Sequence, residues 1–498
     1  MRFRISRDIG PRIMRLRNLS QAREGLSALH GTLVGVGMTA FPRMIPAYFL
    51  DTYGVITLRK TYDLPLLREK MQIFCLQETG GGRQWSHVVR SDQLLACGPV
   101  RDHLTSLPGP KHLLVYQGYP SLETMARKRG WRLLANPAGL RLKVGERAFF
   151  LQMARTLELP EVPGAIYPVE ALHRRDYAYW SDIYGPKFVV QLPDITQGGG
   201  RGTFFIRSGD DYHGLRARLQ GRQWRGIDLQ EVSIRRFIKG IPASMSLCLT
   251  RQGALMSRLQ RQVVDPPYVN GEEEDGIFCG HSWGDDPWTS RTRELAGVQA
   301  RRIGDYLWNL GVKGIIGIDF VVRERDQTPY PIEVNPRLTG AFPMISLLHL
   351  KNGILPLDLF HLLEFLDLPY RVDVPELNHD YATPLQGSHL LVFRLSGEKQ
   401  IHGSRVKPGV YELDPHEERF VFVKAAIGYE AIQNRRQFVV IDGPPDPCGP
   451  CGAPADPLYR LCHLLFSYPV MDSDGGLSAH ARLAARWVHG RLTQGAGP

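Results

Sequence analysis

Short apolar runs separated by polar, helix-compatible stretches dominate the first third of the chain. The runs GTLVGVG, LLACGPV, KHLLVYQGY and WRLLANP are rich in Val and Leu and are bounded by Gly or Pro, which predicts strands. Helical stretches between successive strands are typical of a parallel α/β sheet. We therefore expect a Rossmann-like α/β domain at residues 25–138, preceded by a basic N-terminal arm at residues 1–24.

A glycine pattern follows the first of these runs. Gly35, Gly37 and Ala40 fit the G-x-G-x-x-G/A fingerprint of dinucleotide-binding turns. The acidic residue expected about 20 positions later to bind a ribose is missing, because residues 53–60 are apolar or basic. The pattern therefore predicts the first turn of an α/β unit rather than a bound NAD.

The middle of the chain has longer helical periods and paired strands. LKVGERAFFLQMARTLELPEVPG predicts a helix that ends at a Pro-rich exit, and FVVQLP and TFFIRS predict two strands around a glycine cluster. A helix near residues 210–220, two more strands and a strongly periodic helix near residues 291–310 follow. We expect one domain at residues 139–370, with a first subdomain at 139–230 and a second at 231–370.

The last part of the chain returns to β-like patterns. The runs HLLVFRL, RFVFVKAAIGY and QFVVID predict strands, and a last helix is expected near residues 477–492. This organisation predicts a β-containing accessory domain at residues 371–498. The chain as a whole is expected to be an α/β and α+β multidomain protein.

Composition and charge add limits on the partners of the protein. The 498 residues are 43% hydrophobic and 22% charged, and no run reaches the roughly 18 apolar residues of a membrane-spanning helix. The net charge of +11 comes from basic residues scattered through every predicted element, without a nucleic-acid-binding motif. We therefore expect a cytoplasmic protein that binds phosphate-bearing small molecules, with no nucleic-acid or membrane partner.

The cysteines give a weaker signal. Their odd number, seven, argues against a disulfide framework. Cys448 and Cys451 form a CxxC pair, and Cys462 with His463 could complete a metal site. Free thiols are the simpler interpretation, and zinc binding is the alternative.

The segment IIGIDFVVRERDQTPYPIEVNPR carries the clearest candidate chemistry. Side chains alternate along a strand, so Asp319 lies on the face opposite to Ile318 and Phe320, whereas Glu333 and Asn335 share a face. The polar, turn-rich RERDQTPY predicts a hairpin that brings these three polar side chains to one surface. Two carboxylates and a carboxamide oxygen are ligands that Mg²⁺ prefers. The alternative is that the polar positions only face water.

Arg337 follows directly after the second of these strands. Its guanidinium presents a fork of donors that suits a phosphate or an acyl phosphate. Arg337 is therefore the candidate catalytic residue that stabilises a transferring group.

The connection between FVVQLP and TFFIRS contains Gly198, Gly199, Gly200, Arg201, Gly202 and Thr203. Successive glycines let backbone N–H groups converge on a phosphate. The segment is not a P-loop, because the Gly-Lys-Ser/Thr ending is absent and a strand follows it. A flap over nucleotide phosphates is one interpretation, and a hairpin tip without a ligand is the other.

The glycine flap, the basic strand IRRFIKG and the D…E-x-N-P-R motif together resemble the ATP-grasp superfamily, over about residues 110–365. The resemblance implies an ATP-grasp fold for the predicted domain at 139–370, with ATP and Mg²⁺ (or Mn²⁺) bound. The residues that it assigns to these ligands are Lys143, the loop 198–203, Phe237 and Ile238 at the adenine hinge, and Asp319, Glu333 and Asn335 at the metal.

The sequence departs from the usual pattern of that superfamily at two places. Gln191 stands where a second phosphate-binding lysine is common, and Lys187 lies four residues upstream. The acidic residue that often binds the nucleotide ribose is replaced by the stretch 241–243, Ile-Pro-Ala. Gln at the lysine position is similar to a subgroup with a pre-ATP-grasp N-terminal domain, which includes amide- and peptide-forming ligases.

The resemblance implies an ADP-forming carboxylate–amine ligase of a kind found in specialised metabolism. A carboxylate would be activated as an acyl phosphate and then joined to an amine, with a carrier protein or a peptide as a further partner. The alternatives are a noncatalytic nucleotide-binding regulator and a phosphotransferase that stops at the phosphorylated product. The oligomeric state and both substrates stay open.

Overall fold

The computed structural model describes residues 14–27, 29–80, 85, 87–192, 202–224, 227–269, 275–395, 401–414, 416, 419–445 and 459–493. Residues 198–201 of the predicted flap, the cysteines at 448 and 451, and residues 1–13 of the predicted basic arm lie outside this part of the chain. What the sequence predicts for them stays a prediction.

The first sheet is built from the strands of the N-terminal α/β region. Short strand β1 (Met14–Arg15) precedes it, and its members are β2 (Thr32–Gly37), β3 (Tyr53–Thr57), β4 (Gln72–Cys75), β5 (Lys111–Leu114) and β6 (Arg132–Leu133). The helices of this region are α1 (Leu19–Leu26), α2 (Leu64–Arg68), α3 (Ser91–Ala96), α4 (Gly98–Ser106) and α5 (Pro120–Arg129). All five strands of this sheet are parallel, in the order β4-β3-β2-β5-β6. The order changes direction at β2, so a crevice opens beyond the ends of β2 and β5.

The prediction of a strand at LLACGPV is wrong. These residues form the end of α3 and the start of α4, which are separated at Cys97. Leu94 and Leu95 are both buried, so the apolar run reflects a helix face packed on the sheet. Pro99 follows Gly98 in the first turn of α4, where a missing N–H costs nothing.

The glycine pattern at residues 35–40 serves packing. Gly35 lies inside β2, and a Cβ atom there would come within 2.2 Å of the Tyr53 hydroxyl oxygen. The segment after β2 is a 3₁₀ turn, Phe41–Arg43, rather than the α-helix that a dinucleotide fingerprint requires. The local geometry therefore differs from that of a dinucleotide-binding turn.

A second, antiparallel sheet follows. Its members are β7 (Gly164–Pro168), β8 (Phe188–Gln191), β9 (Thr203–Ile206) and β12 (Glu231–Arg236), in the order β7-β12-β8-β9. The other elements of this region are α6 (Ala138–Gly145), α7 (Arg147–Thr156), α8 (Glu170–Arg174), α9 (Tyr177–Tyr184), α10 (Gly209–Arg218) and the small hairpin β10 (Gln223–Trp224) with β11 (Ile227–Asp228). Trp180 and Tyr212 are fully buried and hydrogen-bonded to each other at 2.8 Å, which fixes α9 against α10.

The largest sheet combines the second half of the chain. Its strands are β13 (Gly240–Thr250), β14 (Gly253–Met256), β15 (Gln260–Val264), β16 (Phe278–Trp283), β17 (Gly314–Arg323), β18 (Pro329–Asn335), β20 (Gly387–Arg394), β21 (Gly409–Asp414), β22 (Arg419–Lys424), β23 (Gln437–Ile441) and β24 (Tyr459–Phe466). Their order is β18-β17-β13-β15-β16-β20-β24-β23-β21-β22, and β14 pairs with β13. Because β20 pairs with β16, the sheet continues across the predicted boundary at residue 371.

The remaining elements pack around this sheet. They are α11 (Ser290–Asn309), α12 (Met344–Lys351), α13 (Leu357–Leu366), strand β19 (Tyr370–Arg371), α14 (Val374–Tyr381) and α15 (Ala479–Thr493). Helix α13 is buried along its whole length, including its polar residues Asp358, His361 and Glu364. Neither α13 nor any other described helix is both long and apolar enough to cross a membrane.

His361 of α13 connects the first sheet to the largest sheet. Its Nδ1 accepts a hydrogen bond from the Ile315 N–H at 3.0 Å, and its Nε2 lies 3.0 Å from the Leu134 carbonyl oxygen. The ring is therefore neutral with the proton on Nε2. Burial lowers the pKa of His361 to about 4, so the connection persists at neutral pH.

Asp63 makes a second connection, between the first sheet and the C-terminal strands. Its side chain is 1% exposed, and its Oδ2 accepts hydrogen bonds from the N–H groups of Asp442 at 2.9 Å and Gly443 at 3.4 Å. Burial, and after it the Asp442 carboxylate, raise the pKa of Asp63 to about 7. An aspartate in an unfolded chain has a pKa near ~3.9, so the folded protein holds this proton to higher pH than the unfolded protein does.

We expect the stability contributed by the Asp63 proton to be complete below about pH 4 and to be lost as the pH rises through about 7. Asp63→Asn removes the titration and keeps an acceptor oxygen. Between about pH 5 and 7.5, the free energy of unfolding in urea should fall by roughly 2 kcal/mol more in the wild type than in Asp63→Asn. Asp102→Asn, at an exposed position of α4, should follow the wild type. Parallel pH profiles for wild type and Asp63→Asn would contradict this expectation.

Candidate active site

A cavity of about 1890 Å³ lies where the three sheets meet. Its walls come from the crevice of the first sheet, one face of the second sheet, the β17–β18 hairpin and the start of β24. Pockets for single small molecules are typically about 300–1,000 Å³, so this cavity has room for more than one ligand.

The β17–β18 hairpin forms the floor of the cavity. Asp319 is paired with Glu333 across the two strands, and Gly317 is paired with Asn335, which confirms the predicted hairpin and its register. Ile318 and Phe320 are fully buried on the opposite face, in the core beneath the sheet. The alternation of polar and apolar residues therefore separates a core face from a cavity face.

The two carboxylates and the amide are coupled to each other and to neighbouring donors. Oδ1 of Asp319 accepts a hydrogen bond from Gln262 Nε2 at 2.8 Å, and Oδ2 accepts one from Asn335 Nδ2 at 3.0 Å. Desolvation at the cavity floor, and after it the negative charge of Glu333, raise the pKa of Asp319. A bound cation would relieve this repulsion.

The donor set fits a divalent cation that prefers oxygen ligands. The described residues contain no group of three or more His, Cys, Asp or Glu side chains suited to a metal ion. The hairpin instead offers two carboxylates and one carboxamide, and Mg²⁺ commonly completes such a set with water and phosphate oxygens. Asp319, Glu333 and Asn335 are therefore the residues that could hold a metal.

Arg337 joins the metal set to the first sheet. Its Nη2 donates to Asn335 Oδ1 at 2.8 Å, and its Nη1 donates to the Tyr116 hydroxyl. Its Cζ lies 4.9 Å from the centroid of the Tyr116 ring. The guanidinium is thus held beside the carboxylates, at the place where the sequence predicts a transferring group.

The second sheet brings most of the other predicted residues to the cavity. Lys187, Gln191 and Thr203 line it, as do Phe237 and Ile238 in the connection between β12 and β13. The Phe237 N–H donates to the Lys187 carbonyl oxygen at 3.3 Å, which joins the predicted hinge to the start of β8.

Lys143 does not reach this site. It is exposed on α6, and it is not among the described residues that line the cavity. The chain changes direction at Glu146, between the end of α6 and the start of α7. Arg147, the first residue of α7, lines the cavity instead. The sequence suggested one continuous helix here, so this change of direction was missed.

Arg147 explains the glutamine at position 191. Its Nη1 donates to the Ile332 carbonyl oxygen at 2.6 Å, and its Nη2 donates to Gln191 Oε1. A lysine at position 191 would offer a second cation instead of an acceptor. Arg147 therefore places a positive charge beside residue 191, although it lies 44 residues earlier in the chain.

Arg235 was also missed by the sequence analysis, although its strand was noted as basic. It lines the cavity and is 7% exposed. Its Nε donates to Ser233 Oγ at 3.1 Å, whereas its Nη2 is buried without a hydrogen-bond partner. Burial, and after it the charge of Arg147, lower the pKa of Arg235 to about 9. The alternation of β12 was the available signal, since it puts Arg235 on the face of Ser233, which is paired with Gln191.

A family model described as an ATP-grasp domain matches residues 198–341. The chain contains an ATP-grasp domain. The match includes the hinge and the carboxylate hairpin, so the part of the cavity with the predicted metal set belongs to the ATP-grasp domain.

One curated protein matches over a short stretch. The carbamoyl phosphate synthase large chain of Haemophilus ducreyi is 36% identical over 74 residues, which are 15% of this chain and 7% of that protein. The matched segment is thus a small part of the length of that relative.

Two solved structures share the fold at low sequence identity. The carboxyaminoimidazole ribonucleotide synthase of Aspergillus clavatus, complexed with ATP, has a TM-score of 0.52 and 13% identity over 92% of this chain and 99% of that chain. The biotin carboxylase domain of the Hydrogenobacter thermophilus 2-oxoglutarate carboxylase, in complex with MgADP, ADP and bicarbonate, has a TM-score of 0.56 and 12% identity over 89% of this chain and 87% of that chain. These likenesses extend the shared fold beyond the ATP-grasp domain to most of the chain.

Arg235 and Arg261 form a matched pair for a test of stability. Both are 7% exposed, but Nη1 of Arg261 donates to Asp285 Oδ2 at 2.8 Å. Arg235→Met removes a buried charge and an unsatisfied donor, so the free energy of unfolding of the ligand-free protein should rise by about 1–3 kcal/mol. Arg261→Met leaves the charge of Asp285 unpaired and should lower the free energy of unfolding by about 3 kcal/mol. If both variants lose the same free energy of unfolding in urea, Arg235 stabilises the fold rather than being kept for binding a ligand.

Proposed function

We propose that the protein is an ADP-forming carboxylate–amine ligase. The carboxylate of an acid attacks the γ-phosphorus of ATP and ADP leaves, which gives an acyl phosphate. The amine then attacks the acyl carbon, phosphate leaves, and the nitrogen loses a proton. The observation that carries this proposal is the Asp319–Glu333 pair, flanked by Arg337 and Arg147, in a cavity with room for two substrates.

The carboxylate hairpin would hold the metal. Asp319, Glu333 and Asn335 are the proposed ligands of Mg²⁺, which Mn²⁺ could replace. When bound, the ion supplies charge neutralisation for the phosphates of ATP. The guanidinium of Arg337 would point toward the transferring group, because its hydrogen bonds to Asn335 and Tyr116 fix its orientation.

The second sheet would bind the nucleotide. Arg147 and Lys187 supply cations to the phosphates, and Gln191 orients Arg147. The loop predicted at 198–203 would cover the phosphates, and the main chain at Phe237 and Ile238 would meet the adenine. Transfer of this kind needs mainly positioning and charge, which these groups provide.

The outer parts of the chain would complete the ligase. We interpret the parallel sheet at residues 25–138 as a Rossmann-like pre-ATP-grasp domain, as in the amide- and peptide-forming ligases that the sequence resembles. Residues 371–498 would act as an accessory domain, and the first residues of its strand β24 form part of the cavity wall. The acid and the amine are small molecules, or the amine belongs to a peptide or carrier protein.

The first test is ADP release with Mg²⁺ and ATP across a pooled library of carboxylic acids and amines, with hydroxylamine to trap the acyl phosphate. We expect ADP together with a hydroxamate. In Glu333→Gln the rate should fall by roughly 100-fold, because the charge that holds the metal is removed. Glu324→Gln, at an exposed position of the same hairpin, should keep the wild-type rate.

The alternatives predict different results in the same assay. A stable phosphorylated product would identify a phosphotransferase. ATP binding without ADP release from any pool would favour a noncatalytic regulator. An unchanged rate in Glu333→Gln would contradict the proposed metal site.

A second prediction concerns Gln191, which stands where the ATP-grasp superfamily often has a lysine. Arg147→Ala should weaken ADP binding in the presence of Mg²⁺ by about tenfold, since one charge-assisted hydrogen bond is lost. Adding Gln191→Lys to this variant should restore part of the affinity, because it returns a cation to the same place. In the wild-type background, Gln191→Lys should weaken binding by opposing Arg147. Arg155→Ala, exposed on the same helix, is the control for calorimetry. Equal effects of Gln191→Lys in both backgrounds would contradict the coupling.

A further inference from the structure

A row of guanidinium groups and tyrosine rings lines the end of the cavity between the first sheet and β24. We call Arg337, Tyr116, Arg43, Arg460, Tyr459 and Arg59 the arginine arc; all six residues line the cavity. The arc begins beside the carboxylate hairpin, where Arg337 donates to Asn335, and leads away from the second sheet.

Contacts connect the members of the arc in sequence. The Cζ atoms of Arg337 and Arg43 lie 4.9 and 5.7 Å from the centroid of the same Tyr116 ring. Thr39, one turn before Arg43, accepts a hydrogen bond from Arg460 Nη2 at 2.9 Å. Next to Arg460, the ring of Tyr459 has the Cζ of Arg59 at 4.0 Å from its centroid. The arc is therefore one continuous surface.

The arc brings four guanidinium groups to one end of the cavity. The acidic residues among the described cavity lining are Glu146, Glu231, Asp319 and Glu333, and none of them belongs to the first sheet or to β24. Behind the arc, Asp442 pairs with Arg460 at 2.7 Å, and the buried Asp358 lies close enough to Arg43 to interact with its charge.

Arg43 is the most buried cation of the arc. It is 5% exposed, and its Nε and Nη1 donate to the carbonyl oxygens of Val36 at 3.1 Å and Pro42 at 2.8 Å. These acceptors are neutral carbonyl oxygens that orient the guanidinium at the cavity wall. A cation held in this way at the wall of a cavity suits an anionic ligand.

The position of the arc separates it from the nucleotide. The proposed phosphate contacts come from the second sheet and α7, whereas the arc lies at the crevice of the first sheet, beyond β2 and β5, where α/β sheets bind ligands. An acid with its reacting carboxylate beside Arg337 would extend its other end along the arc.

We propose that the acid substrate carries a second anionic group, a carboxylate or a phosphate, which binds the arginine arc. The part of the acid between its two anionic groups lies beside Tyr116 and Tyr459. This inference rests on the proposed ligase function and adds the class of its acid substrate: a dianionic or polyanionic acid.

The test uses the full chain and three probes of similar length: butyrate, glutarate and 3-phosphonopropionate. Calorimetry should give at least about tenfold tighter binding for one of the two dianionic probes than for butyrate, and the better probe identifies carboxylate or phosphate as the second group. Arg59→Gln should lose about tenfold of this preference. Arg127→Gln, exposed on α5 of the same region, should keep it. Unchanged ADP binding in Arg59→Gln will show that the variant is folded.

The same probes are then tested for ADP release with hydroxylamine present. Preference for a dianion, loss of the preference in Arg59→Gln, and ADP release with that dianion would support both proposals. The same preference and loss without ADP release from any acid would overturn the ligase function while leaving the arc as an anion site. Equal binding of all three probes, no binding, or a preference that survives in Arg59→Gln would overturn the role of the arc, whatever the turnover.

Discussion

The arrangement of the cavity depends on one unfavourable contact, the approach of two carboxylates across paired strands. The backbone register of β17 and β18 puts Asp319 opposite Glu333, and their mutual repulsion adds to the cost of desolvating Asp319. Sheet hydrogen bonds and the buried apolar face beneath them hold the pair in place. Such strain is retained where a ligand relieves it, which is why the hairpin marks the centre of the candidate site.

Cations approach this pair from two sides. Arg147 of α7 donates to the Ile332 carbonyl oxygen beside Glu333, and Arg337 joins the hairpin to Tyr116 of the first sheet. Within the described residues, the site therefore lies where the three sheets meet. Connections such as His361, which links β17 to the end of the first sheet, keep the walls in fixed relation.

The secondary structure was predictable where local patterns were strong. The long helix α11 begins and ends within a residue of its predicted limits, and the hairpin of β17 and β18 followed from alternation and turn composition. The run LLACGPV was wrongly predicted as a strand, because a short apolar run has no period long enough to distinguish a buried strand from a helix face. The break at Glu146 was missed although Gly145 directly precedes it, because a single Gly is tolerated inside a helical pattern.

The sequence by itself determined the chemistry of the floor: Asp319, Glu333, Asn335 and Arg337 lie close together along the chain, and strand alternation suffices to bring them to one face. It also determined the order of the α/β and α+β regions. Only the tertiary structure decided which distant cations line the cavity. Arg43, Arg147, Arg235 and Arg460 come from separate elements, and no local pattern encodes how those elements pack. The same reason explains why Arg147 lines the cavity and Lys143 does not: four residues separate them in a helical pattern, but the chain changes direction between α6 and α7.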